Sequence, residues 1–105
     1  MLFRSAAAKA HAVDLLCTNS LSHKGSDDTT PQSRVQAQGY TAALVLENLF
    51  ALPSANPQTA FDWWMSDSTS RANILDASVT EFGISYVVSD KSLLGGYFVI
   101  VFAKP

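Results

Sequence analysis

The chain has 105 residues, of which 48% are hydrophobic and 15% charged, and its net charge is −2. That length holds one hydrophobic core and not two, and so low a charge fraction implies elements covered on both faces, or a missing partner or segment. The seven Lys and Arg residues are scattered, which removes any general electrostatic basis for binding nucleic acid or anionic lipid, and no apolar run reaches the length of a membrane span.

Residues 2–17 read as a helix, because Leu2, Ala6, Ala10, Val13 and Leu16 recur at helical spacing and alanine is frequent. Arg4, Lys9 and Asp14 fall off that stripe, which is the expected inward face. Lys9 interrupts the run Ala6–Ala10 and polar sequence follows, so no signal peptide is visible. The chain is therefore intracellular, or a targeting segment has been removed. No N-cap precedes the helix, which suggests a truncated N-terminus. Cys17 is the only cysteine, so no intrachain disulfide forms. It is expected to be a small buried hydrophobe on the helix.

Thr18–Thr30 is a polar loop. Thr30 suits an N-cap and Pro31 a first helical position, with a short helix to Gln38 that stops at Gly39. Thr41–Leu52 has a core, Val45–Phe50, that is apolar apart from Glu47 and Asn48, and it reads as an extended segment or short strand. Asn56-Pro57 opens a helix to about Ser66, with Phe61, Trp64 and Met65 on one side. Arg71–Leu75 reads as one more helical turn. Glu81–Ser89 alternates, with Phe82, Ile84, Tyr86 and Val88 on one face. After the Asp90-Lys91-Ser92 turn and Gly95-Gly96, the segment Gly96–Ala103 returns as its hairpin partner. Tyr97–Phe102 is apolar on both faces, as in a strand between two layers. The fold class is therefore α+β, a three-layer α/β/α sandwich around a central antiparallel sheet.

Read by itself, His23 lies in a polar loop and is a solvated histidine. Glu47 lies in an apolar stretch, so it is inside and needs a partner. His11 is a helix-surface or packing residue, and Glu81 is a strand-end charge. Arg71 is a partner for Asp67 or another carboxylate. Trp63 and Trp64 point about 100° apart on a helix. One belongs to the core, and the other lines a groove, sits partly exposed or joins the core. Leu93-Leu94 near the hairpin tip either forms an exposed apolar contact or packs back over the sheet.

The stretch Trp63–Leu75 resembles a signature of the bacterial branch of the CAP superfamily, the SCP-like extracellular domains. There a tryptophan and an aliphatic residue end a helix, and a polar turn leads into His-Arg-Ala-Asn-Ile-Leu. Here Arg71-Ala72-Asn73-Ile74-Leu75 is present, and Ser70 stands in place of the histidine. Further segments resemble the family in order: His11–Leu15, Ser22–Asp27, Arg34-Val35 with Gly39-Tyr40, Leu46–Leu49, Thr80–Ile84 and Gly96–Pro105. Leu46 replaces a usual glycine. The family also has an Asn- and Arg-containing segment ahead of the first helix. Residues 1–105 are thus expected to form a CAP/SCP-like domain without that segment.

The resemblance implies a central cleft with two histidines and two acids, a donor set that suits zinc. It carries the first histidine onto His23, the first acid onto Glu47 and the second histidine onto Ser70. The second acid falls on Asp67 or Glu81. Serine is a poor zinc ligand, so metal binding through His23 and Glu47 is expected to be weak or lost. The implied function is a non-catalytic, secreted or cell-surface module that binds a small apolar ligand, a lipid or a protein partner through this cleft. One alternative is a peptidase-like hydrolase with His23 as general base, Glu47 orienting it and Ser70 as nucleophile. Another is a truncated inactive copy.

Overall fold

The computed structural model describes residues 2–53, 56–92 and 94–105, with side chains from Ser5 onward. In chain order the elements are α1 (Leu2–Thr18), α2 (Pro31–Ala37), β1 (Leu44–Leu52), α3 (Pro57–Ser66), α4 (Ser68–Leu75), β2 (Glu81–Val88) and β3 (Gly96–Lys104). The caps explain several of these bounds. Thr30 and Ser33 form a reciprocal capping box at α2. Asn56 accepts from the Thr59 amide at α3, and Asp67 accepts from the Ser70 amide at α4. The Asp67 cap is why α4 begins three residues before the expected turn at Arg71.

The sheet runs in the order β1-β3-β2 with both pairings antiparallel. The central strand β3 is the one apolar on both faces, and it is covered almost throughout. Alternation divides its side chains between two layers. Tyr97, Val99 and Val101 pack with Ala7, Ala8, Ala12 and Leu15 of α1 and Val35 of α2. Phe98 packs on the opposite face with Phe50, Ala60 and Trp64, and Ile74 and Ile100 border that cluster. The architecture is the α/β/α sandwich. Gly95 closes the β2–β3 hairpin with a φ of +79°, and a Cβ there would lie 2.6 Å from the Pro53 Cα. Both facts favour glycine.

Two expectations change. The buried face of α1 is Ala7, Ala8, His11, Ala12 and Leu15, whereas Ala6, Ala10 and Val13 face out. Alanines surround this helix, so its hydrophobic pattern fits more than one face. The face chosen puts small side chains against the sheet, where the helix approaches closely, and brings His11 inward. Cys17 follows the same rotation and is exposed, not buried. The row Phe82, Ile84, Tyr86 and Val88 does share one face of β2, yet all four are at least 44% exposed. The helices α3 and α4 lean toward β1 and leave that row uncovered. Leu94 packs against the α1-side core, while Leu93 and the Leu2 side chain lie outside the described residues.

Candidate functional site

The site forms at β1 because β1 is an edge strand and carries two adjacent polar residues. Alternation sends Glu47 into the layer of α1 and α2 and Asn48 into the layer of α3 and α4. Each is buried, at 5% and 1% exposure, so each needs partners. Those partners draw the two helical layers together around the strand edge. A cleft of about 320 Å³ lies there, lined by Ser22, His23, Glu47, Asn48, Trp63 and Ser70 among others.

Glu47 is held from three sides. Its Oε2 accepts from Arg34 Nη2 at 2.9 Å, and its Oε1 accepts from His23 Nδ1 at 2.9 Å. His11 Nε2 lies 3.7 Å from Oε1. Arg34 and His11 also hold the loop above. Arg34 Nη2 also donates to the His23 carbonyl at 2.9 Å, and Nη1 donates to the Thr29 carbonyl at 3.1 Å. His11 Nε2 donates to the Ser22 carbonyl at 2.6 Å. His23 is thus fixed through its ring, its own carbonyl and the preceding carbonyl.

These bonds decide the imidazole tautomers. A carbonyl only accepts, so Nε2 of His11 carries its proton, and Nδ1 is left as an acceptor with no hydrogen-bond partner among the described residues. Burial holds the His11 pKa below its usual value, against the attraction of Glu47. A carboxylate paired with Arg34 also only accepts, so His23 donates through Nδ1. In the neutral ring Nε2 is then a bare acceptor. The His23 side chain is 62% exposed, so solvent reaches it.

The opposite wall is built from α4. Asn48 Nδ2 donates to the Ser70 carbonyl at 3.0 Å, and Asn73 Nδ2 donates to Asn48 Oδ1 at 2.9 Å. Ser70 is buried at 9% exposure, and both its polar donors serve one carboxylate. Its amide reaches Asp67 Oδ2 at 3.0 Å and its hydroxyl at 2.8 Å. The Ser70 amide, and then its hydroxyl, hold the Asp67 carboxyl below its ordinary range. The Ser70 hydroxyl thus donates to the aspartate that caps its own helix.

The two tryptophans separate as their spacing requires. Trp64 is 3% exposed and donates from Nε1 to the Leu49 carbonyl at 2.9 Å. Trp63 is 46% exposed, tilts against Phe50 at 5.8 Å and forms part of the cleft wall.

His23, Glu47, Asp67 and Ser70 therefore line one cleft. Glu81 is not among its lining residues. It begins β2 at the other edge of the sheet and accepts from the Tyr40 hydroxyl. Arg71 is linked to Asp67 through its backbone amide, at 2.8 Å. The residues that sequence reasoning missed are Arg34 and His11, the partners of Glu47. The signal available was Glu47 itself, since a carboxylate in an apolar strand demands a buried donor. Asn48 carried the same signal for α4.

A zinc site needs several convergent nitrogen, sulfur or carboxylate donors. Here His23 offers one free nitrogen, while both Glu47 oxygens are bonded to Arg34 and His23. Among the described residues, no three His, Cys, Asp or Glu side chains cluster closely enough to hold a metal ion. The residues present do not fit the implied metal. No helix among the described residues is long and apolar enough to cross a membrane.

Two solved structures share this architecture. An outer surface protein from Borrelia burgdorferi superposes with a TM-score of 0.87 at 17% identity, over 99% of this chain and 74% of that one. An extracellular protein containing a SCP domain, from Bacillus anthracis str. Ames, superposes with a TM-score of 0.84 at 24% identity. That match covers 98% of this chain but only 32% of the Bacillus chain. Identities this low show the fold alone. Curated proteins give no significant match. The family model for CAP, the cysteine-rich secretory protein family, matches residues 5–102, and the chain belongs to that family.

Proposed function

We propose that this chain is a non-catalytic binding module that acts outside the cell and takes its ligand in the cleft at the β1 edge. The observation that carries this reading is the rigid presentation of His23. Its Nδ1 is tied to Glu47, its carbonyl is tied to Arg34, and in the neutral ring Nε2 is left as an acceptor. Across the cleft, Ser70 is fully engaged with Asp67. Such a site offers fixed hydrogen-bonding groups beside an exposed indole, which supports recognition more than bond cleavage. The apolar part of the lining, Leu21, Leu49 and Trp63, suits a small ligand or protein side chain with an apolar face and a donor for His23. The extracellular placement is supported by the two similar structures, one an outer surface protein and one an extracellular protein.

Trp63 supplies the test. A ligand in the cleft shifts its emission, whereas buried Trp64 stays constant. Fatty acids, sterols, lipid vesicles and peptide pools are titrated against the protein and against Trp63→Phe. A saturable shift lost in that variant is expected. A flat response to every class, with no partner in a pull-down, would leave the reading without support.

Zinc binding is proposed to be weak or absent. In a calorimetric titration the chain should bind zinc no more tightly than micromolar, and Ser70→His should bind it at least tenfold more tightly. Sub-micromolar affinity in the unaltered protein would overturn the first statement. An unchanged affinity in Ser70→His would count against Ser70 facing His23 across the cleft.

A further inference from the structure

The cleft at the β1 edge carries a negative charge that nothing in its lining cancels. Among the described residues the lining holds two acids, Glu47 and Asp67, and no lysine or arginine. Glu47 is already paired, because Arg34 Nη2 lies 2.9 Å from its Oε2. Asp67 makes no ion pair among the described residues. Its Oδ2 takes both bonds from Ser70, and its Oδ1 takes none from the described residues. Those two bonds hold the carboxyl ionised, and no charged side chain adds to their effect. Lys24, next to His23 in sequence, is engaged with Asp28 at 3.0 Å. Asp67 also ends α3 and caps α4. The negative end of one helix dipole therefore meets the positive end of the next, and the two offset each other there.

We propose, resting on the reading of this cleft as a binding site, that its ligand presents a primary ammonium group on an apolar stem. That is the chemistry of a free alkylamine or of a lysine side chain. Trp63 and Asp67 are four residues apart, and the Asp67 amide donates to the Trp63 carbonyl at 3.1 Å. They are thus one helical turn apart on the same side, where side chains start about 5–6 Å from each other. A cation is attracted to an indole face from within about 6 Å of the ring centroid, so one ammonium can meet the carboxylate and the ring together. Trp63 is 46% exposed, and Phe50 backs its ring at 5.8 Å. The indole is therefore held in place and still open to a ligand.

Hydrogen bonding selects a primary ammonium among the cations. It has three N–H donors and no acceptor, and the free polar atoms of the cleft are acceptors, Asp67 Oδ1 and the neutral His23 Nε2. A quaternary ammonium has no N–H for His23. A guanidinium fork is matched by a carboxylate with both oxygens free, and Asp67 Oδ2 is taken by Ser70. A carboxylate ligand brings a like charge toward Asp67 and finds no cation in the lining. The apolar stem has Leu21 and Leu49 in the same lining to lie against, as the methylenes of a lysine do when its head stays in a polar setting.

Titration of n-butylammonium into isotope-labelled protein at constant ionic strength, followed by amide NMR, tests this. The Trp63 indole N–H and the Ser70 amide should shift together while the buried Trp64 indole stays put. They should saturate with a dissociation constant of about 1 mM or tighter, the range open to a ligand of so few atoms. Butyrate and n-butanol, which alter only the head group, should bind at least tenfold more weakly. Asp67→Asn keeps a capping side chain and should weaken the amine at least tenfold. Trp63→Leu, read at the Ser70 amide, is the second variant should Asp67→Asn fail to fold. Nα-acetyl-lysine methylamide separates the two sources: binding like the amine supports a lysine side chain, and binding of the amine alone supports a free alkylamine. The proposal is overturned if neither amine gives a saturable shift, if n-butanol binds as well, or if both variants bind the amine unchanged. A saturable shift with butyrate or n-butanol alone would overturn the ammonium and leave the cleft a binding site. A flat response to these probes and to the lipid and peptide ligands above would remove both.

Discussion

The two edges of one small sheet solve opposite problems. At the β1 edge, Glu47 and Asn48 are polar and buried, and side chains from α1, α2 and α4 converge to satisfy them. At the β2 edge, Phe82, Ile84, Tyr86 and Val88 are apolar and exposed, and no helix among the described residues covers them. A buried polar group without partners is costly, so the β1 edge is over-determined by hydrogen bonds with fixed directions. An exposed apolar row costs less, and its contacts have no preferred direction. The first edge holds its polar groups in fixed directions, and the second leaves an apolar row bare.

The sharpest way to break this contrast is at the buried ion pair. Arg34→Met strands the Glu47 carboxylate and should cost about 3–5 kcal/mol, read as a lowered urea midpoint. The double replacement Arg34→Met with Glu47→Leu should recover most of that loss, because no charge is then left unpaired. If the double variant is as unstable as the single one, stranding is not the cause.

Asn48→Leu comes next. It removes the link to the Ser70 carbonyl and leaves Asn73 without its closer acceptor, at a cost of about 1–3 kcal/mol. Amide exchange in α4 should accelerate more than in α1. Uniform acceleration would mean that the Asn48 link is not local to the cleft wall.

A smaller effect is expected from pH. The folded-state pKa of His11 lies below its ordinary 6.5, chiefly through burial. Between those two values the unfolded chain binds a proton that the folded chain does not, so stability falls as pH drops below about 6.5. Melting temperature should decline from pH 7 toward pH 5. His11→Gln keeps a donor for the Ser22 carbonyl and should flatten that slope. An unaltered slope would assign the effect to another group.

The smallest effect belongs to the β2 edge. Ile84→Lys should change stability by no more than about 0.5 kcal/mol, as at an ordinary exposed position. A loss comparable to that of Arg34→Met would show that the row is covered from within the chain, and the contrast between the edges would fall.

Much of this was legible in the residues. Thr30, Pro31, Asn56 and Pro57 marked two helix starts, and Gly39 and Gly95 marked turns, because caps and positive φ angles are local chemistry. The double-sided apolar run in β3 announced a central strand. The resemblance carried His23, Glu47, Asp67 and Ser70 to one cleft. The α1 face was not legible, because alanine on all sides of a helix supplies almost no phase. Arg34 and His11 were missed because each looks ordinary in its own helix. Their importance comes from Glu47, 13 and 36 residues away in sequence.

Sequence by itself therefore determined the elements, their order and the demand for partners at Glu47 and Asn48. These follow from local backbone preferences, hydrophobic alternation and the cost of burying a polar group. Only the tertiary structure decided which partners answer that demand, which face of α1 turns inward and which face of β2 stays bare. Those outcomes depend on how helices distribute themselves over a three-stranded sheet. The layers meet at one edge and leave the other open, and no local pattern encodes that asymmetry.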